Sequence, residues 1–201
     1  MPKKQKKQVL IDVQPMLETV SIVEWVVWDL GADAMDKQIV TLAGGLRNML
    51  ERISITHVLI EQQGRFSIPE RIISMAIVGI VKALRPHIHV EIVSASKKLS
   101  SFGIQETSSY VDRKEKAVQL VQQLTIGRFD ATTWSEWMEK EHSTAHTTWF
   151  KTANDLADAF LYAYLLFHSS LAQPENTSGR VVLGIDVGSR SMGLCCLCDD
   201  L

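Results

Sequence analysis

The sequence predicts an α/β domain with a mixed five-stranded sheet flanked by helices, in which the last two strands of the chain lie centrally. Short aliphatic runs alternate with segments of helical apolar spacing, the pattern of a partly parallel sheet. Residues 181–187 are apolar at nearly every position, which is typical of a strand buried on both faces. A lone hairpin is marginal in water, so residues 180–201 must join strands formed earlier in the chain.

The first half of the chain supplies a basic tail, two strands and two helices. Residues 1–8 carry four lysines and are expected to be a flexible tail, ahead of a single domain at 9–201. Residues 19–30, rich in Val, Ile and Trp, predict a strand. Capping and turn residues then predict a helix that ends near Arg52. A strand at 57–61 and a helix at 69–84, with Pro69 in its first turn, follow.

The second half continues the alternation. Its expected elements are a strand at 89–93, a Ser-, Lys- and Gly-rich loop at 95–109, a helix at 111–124, a short helix between loops within 125–150, a strong helix at 153–171, a linker at 173–179, and strands at 181–186 and 192–198.

The composition indicates an ordinary globular protein. The chain has 201 residues, of which 46% are apolar and 22% charged, and no apolar run approaches the roughly 20 residues of a membrane helix. All three cysteines fall at 195–198, which is no disulfide framework, so we expect an intracellular protein without a membrane partner, its compartment unspecified. The formal net charge is −2, so any nucleic acid must be bound through local basic patches.

Four acidic residues lie at the ends of predicted buried elements. Glu61 and Asp186 each end an aliphatic strand, at the edge where α/β folds bind ligands. Asp155 and Asp158 lie three apart at the start of the predicted helix, which puts them on one face. Taken singly, each is better explained by a turn, a surface carboxylate or a helix-dipole contact.

Taken together, the four carboxylates predict a metal site. Clustered carboxylates repel one another unless a cation neutralises them, and hard oxygen ligands suit Mg²⁺ or Mn²⁺. A pair of such ions can activate water and stabilise the leaving oxygen in phosphodiester hydrolysis.

Four segments carry a family resemblance. GIDVGSRSMG (184–193), VLIEQQGRFSIPERI (58–72), SYVDRKEKAVQLV (109–121) and NDLADAFLYAYLL (154–166) resemble the four blocks of RuvC-like Holliday-junction resolvases of the poxvirus and fungal mitochondrial branch, which have an RNase H-like fold. The family order places the equivalent of Asp186 first. The chain therefore resembles a circularly permuted member, with strands one and two moved to the C-terminus and residues 173–179 as the joining linker.

The resemblance implies a homodimeric, Mg²⁺- or Mn²⁺-dependent endonuclease that uses two metal ions and cuts four-way junction DNA with paired symmetric nicks. It implies that Asp186 bridges the ions, that Glu61 and Asp158 each hold one, and that Asp155 assists. Lys114 is implied near the scissile phosphate. The residues implied in DNA binding are Arg65, Phe66, Lys97, Lys98, Arg113, Lys114, Lys116 and Arg190.

Two other functions stay open. One is an RNase H-like nuclease acting on flaps or RNA–DNA hybrids. The other is a non-catalytic junction-binding module, against which the complete acidic set argues. For the basic residues, a solvated polar face is the alternative, and Phe66 is equally well explained as a residue that packs against the helix after it.

Overall fold

The computed structural model describes residues 20–31, 33–102, 110–125, 146–170, 179–188 and 191–199. The expected tail at 1–8, the segment 126–145 and nearly all of the linker 173–179 lie outside these residues. Within them, the elements are β1 (Val20–Asp29), α1 (Met35–Arg52), β2 (His57–Glu61), α2 (Ile68–Leu84), β3 (His89–Val93), α3 (Ala95–Ser100), α4 (Tyr110–Thr125), α5 (His146–Ser170), β4 (Val181–Val187) and β5 (Ser191–Asp199).

The strands form one five-stranded mixed sheet in the order β1-β5-β4-β2-β3. The C-terminal hairpin β4–β5 is antiparallel and central, as expected from its apolar sequence. Strand β1 pairs antiparallel with β5, whereas β2 pairs parallel with both β4 and β3. This α/β arrangement is compatible with the general RNase H-like layout.

Helices cover both faces of the sheet, and the strands alternate their side chains between two cores. Leu59 and Val182 face the core formed with α4 and α5. Ile60 and Leu183, one residue further along each strand, face the core formed with α1 and α2. The sheet is therefore the middle layer of three, and a carboxylate at its edge is held between two packed layers.

Two expectations about the second half were wrong. The segment 95–100, expected as part of a loop, is helix α3, because Ser94 Oγ accepts a hydrogen bond from the backbone N–H of Lys97 at 3.4 Å and caps the helix. The last helix begins at His146 rather than near residue 153, so Asp155 and Asp158 lie in the helix interior and not at its start. No helix among the described residues is both long and apolar enough to cross a membrane.

Candidate active site

Two neighbouring strands bring Glu61 and Asp186 to one edge of the sheet. Glu61 is the last residue of β2, and Asp186 is the last but one of β4. The strands run parallel, with Ile60 opposite Ile185. Because parallel neighbours end at the same edge, their terminal carboxylates lie side by side.

Helix α5 approaches this edge closely because two glycines leave space for its backbone. A Cβ atom on Gly184 would lie 2.1 Å from the carbonyl oxygen of Ala159, and one on Gly193 would lie 2.2 Å from that of Asp155. Neither distance is sterically possible, so any larger residue would push the helix away. The close approach lets Asp158 reach the strand carboxylates.

Three carboxylates converge as a result. One ligand oxygen from each of Glu61, Asp158 and Asp186 lies within 4.8 Å of the others, and both aspartates are buried. Burial raises the pKa of Asp186 well above its ordinary value, and the charge of Glu61, a hydrogen bond with it and the charge of Asp158 raise it further. The group therefore resists carrying three negative charges without a compensating cation.

Two lysines, one buried and one partly buried, supply part of that compensation. Lys98 Nζ lies 2.6 Å from Asp158 Oδ1. Lys114 Nζ donates a hydrogen bond to the other oxygen of Asp158 and lies 4.0 Å from Asp186 Oδ2. With all five groups ionised, three carboxylates and two ammonium groups leave one net negative charge in this acidic cluster, which we define as Glu61, Asp158, Asp186, Lys98 and Lys114.

The ion pairs lower the pKa of Asp158 and raise the pKa of Lys114. Burial would raise the pKa of Asp158, but the two lysines outweigh burial and hold that pKa below its ordinary value. Burial would lower the pKa of Lys114, but Asp158 and Asp186 outweigh it and raise that pKa. The Lys114–Asp158 ion pair is therefore fully charged at neutral pH.

Tyr162 is a neighbour of the acidic cluster that the sequence interpretation missed. Burial raises the pKa of its hydroxyl, and the negative charges of Glu61, Asp158 and Asp186 raise that pKa further. Among the described residues, the hydroxyl has no hydrogen-bond partner of regular geometry. Lys98 Nζ lies 4.8 Å from its ring centroid, in cation–π contact. The available signal was its spacing, one helical turn after Asp158.

Asp155 does not belong to the three-carboxylate group of the described residues. Its carboxylate accepts a hydrogen bond from Ser191 Oγ at 3.3 Å. Asp155 thus contacts the first residue of β5, beside the cluster rather than within it.

The predicted DNA-binding residues divide between surface and interior. Lys98 was placed in an exposed loop, but its side chain is only 6% exposed and pairs with Asp158, so it does not reach a surface phosphate in this conformation. Lys97 is exposed and lies 3.7 Å from Glu91. On α4, Arg113 is exposed and Lys116 is half-buried.

Arg65 and Phe66 form a turn between β2 and α2, four and five residues after Glu61. Both are exposed, and Phe66 is 90% exposed, so it does not pack against α2. Arg190 lies outside the described residues. The turn that follows Glu61 in the chain therefore presents an exposed arginine and an exposed aromatic ring.

Comparison of the chain with protein-family models, curated proteins and solved structures gave no match.

Proposed function

We propose that the chain is a divalent-cation-dependent DNA endonuclease that resolves four-way junctions, of the RuvC-like type in circularly permuted form. One observation carries the proposal. Each of the four segments that resemble the resolvase blocks contributes a side chain to one cluster: Glu61, Lys114, Asp158 and Asp186. These residues are far apart in sequence, and a purely structural role does not require three carboxylates to meet.

Glu61, Asp158 and Asp186 are the residues that would hold the cation. Their carboxylate oxygens suit Mg²⁺ or Mn²⁺, and such an ion supplies an activated water and charge stabilisation for phosphodiester hydrolysis. With all five groups ionised the cluster has one net negative charge, and a divalent ion would favour the ionised form of Asp186. The two-ion arrangement implied by the resemblance requires Lys98 or Lys114 to leave Asp158 when DNA binds.

Lys114 has a second role in the proposal. Its ammonium group is partly exposed and lies between two carboxylates, so a phosphate arriving at the cluster meets a fixed cation. Contact with a non-bridging phosphate oxygen would position the scissile bond and offset the charge that develops there. Lys98, being buried, instead holds Asp158 in place.

The surroundings supply the DNA contacts. Arg65 offers a phosphate contact beside Glu61, and the exposed ring of Phe66 can stack on a base freed from pairing at the junction centre. Lys97, Arg113 and Lys116 extend the basic surface along α3 and α4, and Arg190 follows Asp186 in sequence.

A twofold dimer completes the proposal, because a symmetric junction needs two symmetric cuts. Helix α2 presents exposed apolar side chains at Ile68, Ile72 and Met75, spaced four and three residues apart on one helical face. Such a stripe is a candidate for self-association, and the two copies would then direct their sites toward opposite arms.

The test is cleavage of a labelled four-way DNA junction in Mg²⁺, with a linear duplex of the same arms as substrate control. Asp186→Asn is expected to abolish cleavage, whereas Asp36→Asn, an exposed aspartate on α1, is expected to retain it. Paired symmetric nicks in the junction alone support a resolvase. Cleavage of flaps or RNA–DNA hybrids in preference to junctions assigns the other nuclease function.

One observation favours a second candidate, a non-catalytic junction-binding module. Both oxygens of Asp158 already contact lysine ammonium groups, so the cluster is largely neutralised without a metal ion. In that case the unmutated chain binds the junction tightly and does not cut it, with or without Mg²⁺ or Mn²⁺.

A further inference from the structure

A second concave site lies at the opposite edge of the sheet. A pocket of about 570 Å³ is lined by the amino-terminal residues of β2 and β3 and by the ends of α1 and α2. His57 begins β2 and Glu61 ends it, so roughly 13 Å of strand separates the pocket from the acidic cluster. The pocket is therefore separate from the acidic cluster.

The pocket lining combines basic and apolar residues. His57, His87, His89 and Arg85 line it, and Glu51 is the acidic residue among its lining residues. Leu50, Ile53, Ile55 and Ile88 are the large apolar residues of the lining. The volume falls within the range of about 300–1,000 Å³ that small-molecule sites occupy.

Burial and neighbouring positive charges lower the pKa of His57. Burial has the largest effect, and the charges of His89 on β3 and of Arg180, just before β4, lower the pKa further. The His57 and His89 rings are cross-strand neighbours with centroids 5.6 Å apart. An anion in the pocket would reverse this balance, because it stabilises the protonated ring.

The ring of His57 is also fixed in orientation. Thr56 Oγ1 lies 2.9 Å from His57 Nδ1 and 3.0 Å from Val181 O, and it accepts a hydrogen bond from the backbone N–H of Val181 at 3.0 Å. Because Thr56 engages Nδ1, Nε2 is the nitrogen that can donate to an anion when the ring is protonated.

A metal ion is the poorer fit. Among the described residues, only Glu61, Asp158 and Asp186 place three ligand atoms within 4.8 Å of one another. The histidines and Glu51 of the pocket form no such group, and Arg85 and Arg180 add repulsion for a cation.

We propose that this pocket binds a phosphate monoester of nucleotide size, with the phosphate at the histidines and Arg85 and the organic part against the apolar residues of the lining. The phosphate can belong to a free nucleotide or to the 5′ end of a DNA strand. Binding is linked to protonation of His57, because the bound anion favours the protonated ring. The pocket has no part in the proposed nuclease chemistry.

The experiment follows the histidine ring signals of the full chain by NMR while a nucleoside monophosphate is added, with the matching nucleoside as control. The His57 and His89 signals should shift with the monophosphate only, and the pKa of His57 should rise in its presence. A 5′-phosphorylated oligonucleotide, compared with its unphosphorylated form, tests the strand-end source. No shift with either phosphate at millimolar concentration overturns the proposal.

Variants expected to weaken phosphate binding and one expected to tighten it strengthen the test. Arg85→Gln and His57→Gln should weaken binding roughly tenfold, the size of one charge-assisted hydrogen bond. Glu51→Gln should tighten binding, since it removes the acidic wall residue, and Arg47→Gln, an exposed arginine on α1 outside the pocket, should not change it. Asp186→Asn should also leave it unchanged. Weaker binding in Glu51→Gln, or ring signals that respond to Zn²⁺ and not to the monophosphate, would contradict the assignment.

Discussion

Lys98 Nζ lies 2.6 Å from Asp158 Oδ1, and both side chains are almost wholly excluded from solvent. Helix α3 carries the lysine and α5 carries the aspartate, so this contact ties a short, six-residue helix to the central helix of the domain. A buried ammonium group is costly unless it is paired, which makes each partner dependent on the other.

Lys98→Met is therefore expected to lower the free energy of unfolding by about 3 kcal/mol, the lower end of the range for breaking a buried pair, because Lys114 still contacts Asp158. The matched control is Lys97→Met, next in sequence but 57% exposed, which should change stability by less than about 0.5 kcal/mol. Urea unfolding of the three proteins at pH 7 measures both. Equal effects of the two substitutions would show that the buried pair adds no stability.

The same pair predicts how that difference depends on pH. The folded-state pKa of Asp158 is lowered, so the stability it contributes is present above its ordinary value of 3.8 and is lost as the pH falls through the lowered value. The gap between the unmutated chain and Lys98→Met should therefore be constant from pH 7 to 5 and should narrow below pH 4. A stability difference that instead widens below pH 4 would contradict this prediction.

Asp186→Asn is expected to stabilise the protein at pH 7 in the absence of divalent cations. The folded-state pKa of Asp186 is raised by burial and by Glu61, so the stability tied to its protonated form is complete below 3.8 and is lost as the pH rises. Asparagine keeps the side chain neutral at every pH. Each 1 kcal/mol gained should raise Tm by roughly 2–4 °C in a chain of this size.

Scanning calorimetry in EDTA at pH 7 and at pH 3.5 tests this expectation. The gain should disappear at the lower pH, where Asp186 is itself protonated. Asp36→Asn, which loses a favourable charge in the first turn of α1, should lower Tm slightly. A lower Tm for Asp186→Asn at pH 7 would mean that Lys114 outweighs the carboxylate repulsion.

Gly193→Ala should separate α5 from the hairpin. Gly193 lies opposite Asp186 in the β4–β5 ladder, and an added Cβ atom would collide with the backbone of Asp155. Overpacking of this kind costs about 1–3 kcal/mol, and it should also move Asp158 away from Glu61 and Asp186. Gly44→Ala, on an exposed part of α1 with no atom within 4 Å of the added carbon, should instead stabilise by roughly 0.5–1 kcal/mol. Unfolding curves and Mn²⁺ affinity of both variants decide the point; Gly193→Ala with native Mn²⁺ affinity would contradict it.

The strands and their central hairpin were predictable because their signals are local. The aliphatic run at 57–61 and the apolar run at 181–187 identify buried strands without reference to the rest of the chain. Strand-terminal carboxylates then follow, which is why Glu61 and Asp186 were found together.

The remaining parts of the site depend on packing between distant segments, which local patterns do not contain. A spacing of three residues puts Asp155 and Asp158 roughly 60° apart around the helix, close enough to share a face but too far apart for both to reach one point. Only Asp158 joins the cluster. The burial of Lys98 follows from the docking of α3 beside α5, and nothing in the Ser- and Lys-rich sequence around it indicates that contact.

Met75→Glu should disrupt the proposed dimer. Met75 is exposed at the C-terminal end of the apolar stripe on α2, and a buried carboxylate without a partner at a twofold contact is strongly unfavourable. The control is Val23→Glu, which makes the same apolar-to-acidic change at an exposed residue of β1 and should leave the association unchanged. Sedimentation velocity over a range of concentrations gives the result. A chain that is monomeric before substitution would remove α2 as a dimer surface.

Binding of Mn²⁺ distinguishes a one-ion from a two-ion cluster in the absence of DNA. We expect one ion per chain, since the cluster has one net negative charge with both lysines in place. Lys114→Met removes a positive charge that lies 4.0 Å from Asp186, so it should tighten Mn²⁺ binding by about tenfold or more while it abolishes junction cleavage. Lys37→Met, at an exposed lysine on α1 outside the cluster, should do neither. The electron paramagnetic resonance signal of free Mn²⁺ gives the number of bound ions by difference from the total. Two ions bound to the unmutated chain, or weaker binding in Lys114→Met, would show that Lys114 does not act as the competing cation.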